Sequence, residues 1–81
     1  INIDIYPNPF TSLLNIRIDA MDKSKKSINV INNMGKLVSS TYSEDPLVEV
    51  SMSEFPAGIY HCIIYNDGKE LITKSVIKVV E

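Results

Sequence analysis

Along most of this chain apolar and polar residues alternate with a period of two, the period at which successive strand side chains point to opposite faces. "INIDIY" at 1–6 alternates through Ile1, Ile3 and Ile5, and "LLNIRID" at 13–19 sets Leu14, Ile16 and Ile18 against Asn15, Arg17 and Asp19. After the polar loop "DKSKKS", "INVI" resumes with Ile28 and Val30, and the turn "NNMGK" leads into "LVSSTYS". "EDP" breaks the chain before "LVEVSM", where Val48, Val50 and Met52 alternate with Glu49 and Ser51. A longer corner, "SEFPAG", precedes "IYHCIIY"; "NDGK" then closes a hairpin onto "ELITKSVIKVV". Short strands separated by turn signals, seven in all, predict an all-β antiparallel sandwich. The best helical stretch, "IDAMDKSKKSI", has too few apolar residues at spacings of three and four.

Two of the four prolines flank Asn8 in "YPNPF", between the first two strand patterns. Each proline fixes its own φ and holds the residue before it out of the helical region, and the asparagine can bond local backbone. The segment is therefore expected as a stiff corner. It is expected to fix how the first strand enters the sandwich.

Composition narrows the picture. Eighty-one residues allow one domain, and 44% hydrophobic residues can supply its core. Charged residues at 22% and a net charge of −2 place the chain among ordinary globular proteins, with no electrostatic reason to expect nucleic acid. No apolar stretch approaches the roughly 20 residues a membrane-spanning helix needs, so no membrane insertion is expected. The single cysteine, Cys62, excludes an internal disulfide. With no secretory signal at its start, the chain is expected to be a piece of a longer protein.

Candidate chemistry is sparse. His61 and Cys62 are neighbours on a strand and point to opposite faces, so they cannot readily form a nucleophile–base pair or share a metal. His61 is expected on the surface and Cys62 in the core. Asp19, Asp22, Glu44, Asp45 and Asp67 are scattered over loops without calcium-loop spacing, and no glycine-rich phosphate loop exists. No catalytic residue, metal ligand or cofactor is expected. "DKSKKS" is expected as a solvated loop. Tyr60 follows the "SEFPAG" corner on the face of Cys62 and Ile64, where its ring can be buried while its hydroxyl bonds the corner backbone.

"YPNP" at 6–9 followed by "LLNIRI", then "INVINNMGKLV" at 28–38, "GIY" at 58–60 and the closing "KSVIKVV" resemble the C-terminal sorting domain of the type IX (Por) secretion system. The resemblance rests on the order of the four pieces over nearly the whole chain. It implies an immunoglobulin-like sandwich at the C-terminus of a larger cargo protein of the Bacteroidetes. It also implies partners: the translocon, an outer-membrane shuttle protein, a surface sortase that cuts ahead of the sandwich, and the cargo fused at the N-terminal side. The destination is the cell surface or the medium. Tyr6, Pro7, Asn8 and Pro9 match the opening motif; Gly35 and Lys36 match the mid-domain turn; Gly58, Ile59 and Tyr60 match the third motif. Asn32 stands where an aspartate is usual, and an asparagine can make the same local turn bond.

Lys74 and Lys78, four apart, share one strand face, which for charged residues normally means solvent. Two roles fit them: protecting a sheet edge, or being read by a receptor together with Ile77 and Val79, through pairing with an exposed edge. The alternative to a sorting domain is an immunoglobulin- or fibronectin-like accessory module, acting as a spacer or binding carbohydrate beside an extracellular enzyme. Tyr42 and Tyr65 are its only candidate exposed aromatic platforms.

Overall fold

The structure is a computed structural model that describes residues 2–19 and 24–80. Its seven strands are β1 (Asn2–Tyr6), β2 (Leu13–Asp19), β3 (Lys26–Asn32), β4 (Leu37–Ser43), β5 (Leu47–Ser51), β6 (Gly58–Asn66) and β7 (Lys69–Lys78). They form two sheets, one ordered β1-β2-β5 and the other β4-β3-β6-β7, with every strand pair antiparallel. The chain changes sheet after β2, β4 and β5, the crossovers of an immunoglobulin-like sandwich.

Alternation decides which faces meet. Ile5, Leu14, Ile16, Ile18, Val48 and Val50 from the first sheet pack against Ile28, Val30, Tyr60, Cys62, Ile64 and Val76 from the second, with Phe10 and Met52 completing the core. Each large aliphatic side chain buried this way contributes about 1.5–3 kcal/mol. In a chain without a disulfide, that packing replaces covalent staples.

The turns follow their residues. Asp67 and Gly68 both take positive φ, 52° and 77°, the combination a two-residue hairpin needs and the reason "DG" stands there. In the β3–β4 turn, the Asn32 side-chain oxygen accepts from the amides of Met34 and Lys36, each at 2.9 Å. Asparagine thus makes the turn bonds expected of it. The Tyr6–Pro7 and Asn8–Pro9 peptide bonds are both cis.

One loop expectation is corrected. Lys26, read as part of a solvated loop, opens β3 and is buried, and its ammonium donates to the Ser24 carbonyl at 2.9 Å and the Ser24 hydroxyl at 3.0 Å. The strand begins earlier than its apolar pattern because a long stem can lie along the sheet while the charged tip finds oxygen at the rim. Asp22 and Lys23 of that loop, like Ile1, lie outside the described residues.

Candidate functional site

β7 is the outermost strand of the larger sheet, so one of its backbone edges has no partner strand beyond it. Alternation along "ITKSVIKVV" puts Lys74, Val76 and Lys78 on the inner face and Thr73, Ser75, Ile77 and Val79 on the outer one. The expectation that the lysines face solvent is therefore corrected. Val76, fully buried between them, commits both neighbours to the core side.

Both lysines bond backbone of other elements. Lys74 Nζ donates to the Ile5 carbonyl at 3.1 Å and so reaches across to the opposite sheet. Lys78, only 9% exposed, donates to the carbonyls of Met52 and Phe55 at 2.6 and 2.5 Å, tying the end of β7 to the β5–β6 corner. Inward-pointing charge is one of the ways natural sheets guard an edge. What remains accessible near the end of β7 is apolar: Ile77 is 45% and Val79 40% exposed.

The edge itself is partly occupied. The Asn8 side chain accepts from the Ile77 amide at 3.0 Å and donates to the Ser75 carbonyl at 3.3 Å. Phe10 continues the contact with two backbone bonds, its amide to the Ile77 carbonyl at 2.9 Å and the Val79 amide to its own carbonyl at 2.8 Å. "YPNPF" is thus both a corner and a cover over the last part of β7. A receptor strand pairing there would have to displace it, which corrects the expectation of an open edge at Ile77 and Val79. Sequence reasoning missed this because the contact joins residues nearly seventy apart. The available hint was an asparagine between two prolines, a side chain able to imitate one peptide unit.

The remaining motif residues are spent on the fold. Gly35 takes φ 85° in the Asn32 turn. Gly58 starts β6, where Ile59 pairs with Ile77 on the outer face. Tyr60 buries its ring to 3% exposure and donates its hydroxyl to the Pro56 carbonyl at 2.5 Å, the corner tether expected of it. Of the other aromatics, Tyr42 is 71% exposed and Tyr65 half-buried, and both stand opposite Ser27.

The described residues do not bring His61 and Cys62 together. His61, half-buried on the outer face, has its Nδ1 3.0 Å from the Ser75 hydroxyl. Cys62 lies on the opposite face and is fully buried, and burial pushes its thiol from 9.0 to about 11, far from a reactive thiolate at neutral pH. Among the described residues no three His, Cys, Asp or Glu side chains gather as a metal site.

Residues 4–78, nearly the whole sandwich, match the family described as the secretion system C-terminal sorting domain. The chain belongs to this type IX secretion family. No curated protein matches it. As a sorting domain it marks an attached cargo for export across the outer membrane by the type IX system. The match begins on β1 and ends on Lys78, so it takes in the proline corner, the edge that corner covers and both inward lysines.

Proposed function

We infer that this sorting domain is a non-catalytic address, fused as a single folded unit behind its cargo. An outer-membrane shuttle protein and the translocon read it, and a surface sortase cuts it from the cargo ahead of the sandwich. The observation that carries the reading is the family match over residues 4–78. The described chemistry agrees: the only histidine meets a serine hydroxyl, and the only cysteine is a buried thiol.

Within the domain, the reading surface is the outer side of the end of β7. Ile77 and Val79 supply apolar contact, while Lys74 and Lys78 hold the strand in place from behind. The "YPNPF" cover keeps this edge from pairing before a receptor arrives.

The test places a fluorescent reporter ahead of residues 1–81 in a bacterium with a working type IX system and measures reporter at the surface and in the medium. Export is expected, and it should disappear in a translocon-deficient strain. Ile77→Ser with Val79→Ser should cut export by about tenfold, the cost of losing roughly 1.4 kcal/mol of docking, while the purified variant keeps its fold. Undiminished export by the folded double variant would remove the recognition surface from these residues. Reporter held in the periplasm despite a folded domain would favour an accessory module instead.

A further inference from the structure

At one end of the sandwich, the β5–β6 corner, the segment after the proline corner and the tail of β7 enclose a groove of about 300 Å³. It is lined by the polar residues Thr11, Ser12 and Ser53, by Phe55, Ala57 and Val79, and by Lys78. That volume is at the small end for ligand sites.

Lys78 is what makes the groove more than a surface dent. Its side chain is nine-tenths buried, and its ammonium carries three N–H donors. Two are taken by the Met52 and Phe55 carbonyls. Among the described residues the third has no acceptor, and no carboxylate pairs with the charge. Carbonyl dipoles solvate a buried cation only in part, and a buried charge without a counter-charge is costly. A singly charged anion in the groove would supply both an acceptor for that N–H and a counter-charge.

We propose that this groove binds a carboxylate carried on a compact apolar stem, of the size of the last two residues of a peptide. One carboxylate oxygen takes the third Lys78 N–H, the hydroxyls of Thr11, Ser12 or Ser53 reach the remaining lone pairs, and the stem lies against Phe55, Ala57 and Val79. A phosphate fits less well. Its higher charge calls for more than one cation, and much of the groove surface is apolar. The groove shares Val79 with the proposed reading surface, but nothing that points to a carboxylate rests on export.

The test is a titration of chain 1–81 followed by amide chemical shifts. The probes are acetyl-Ala-Leu with a free carboxyl terminus, hexanoate, the amides of both, and inorganic phosphate at matched ionic strength. Both acids should shift the amides of Thr11, Ser12, Ser53, Ala57 and Val79 saturably, with Kd near millimolar, and their amides should not. Tighter binding of the peptide identifies a peptide terminus as the source, and tighter binding of hexanoate a free fatty acid. Ala57→Leu, which fills the groove at an exposed position and leaves Lys78 in place, should weaken binding by about tenfold or more. Lys78→Met, provided its spectrum remains that of the folded chain, should abolish it. Equal response to acid and amide, phosphate binding as tight as either acid, or binding retained in folded Lys78→Met or in Ala57→Leu would overturn the assignment.

Discussion

Tyr60 and Cys62 face the same core from the same strand, yet polarity gives them different duties. Tyr60 has a hydroxyl to satisfy and reaches the Pro56 carbonyl, so its ring packs while its tip pins the corner. Tyr60→Phe keeps the ring and should cost about 1 kcal/mol, lowering Tm by roughly 4–8 °C for a domain of this size. A Tm unchanged within error would mean that the tether adds nothing to packing. Cys62 has no such partner and sits neutral in apolar surroundings. Its thiol ionises near pH 11 in the folded chain but near 9.0 when unfolded, so the unfolded chain loses its proton first as pH rises. The stability this group contributes is whole below pH 9.0 and drains away up to about 11, at no more than about 1.4 kcal/mol per pH unit. Urea unfolding at pH 8 and at pH 10.5 should therefore show the gap between the native chain and Cys62→Ala narrowing. A constant gap would contradict the assigned burial effect.

At the scale of elements, the proline corner and β7 behave as one unit. Asn8 contributes two bonds to β7, and Phe10 adds a short parallel bridge at Lys78. Asn8→Ala should lower stability by about 1 kcal/mol. Its clearer effect should be local: hydrogen exchange at the Ile77 amide accelerates, while the inner amides of β6 keep their protection. Uniform acceleration over both strands would show that Asn8 supports the whole sheet and not its edge. Here the sequence was only half legible. A stiff turn follows from "PNP" itself, because proline acts on its own φ and on the residue before it. Where the turn lands depends on contacts with a strand at the far end of the chain.

Across the whole molecule, β7 is structural as well as exposed. It supplies Val76 to the core and anchors the opposite sheet and the β5–β6 corner through Lys74 and Lys78. Deleting it would remove part of the core together with the proposed reading surface, so loss of export after truncation could not locate the signal. Substitutions at Ile77 and Val79, whose side chains face outward, separate the two.

Strand positions, the sandwich and most of its core were set by the sequence alone, since a period of two holds wherever one face of a strand is buried. The tight turns at Asn32 and Asp67–Gly68 were equally local, because they rest on bonds and φ angles within a few residues. The direction of Lys26, Lys74 and Lys78 was not. A lysine on an alternating strand satisfies either face until it is known whether backbone carbonyls lie within reach of its stem. Only the packing of two sheets and a corner placed those carbonyls, and with them the covered edge of β7 and the groove beside Lys78.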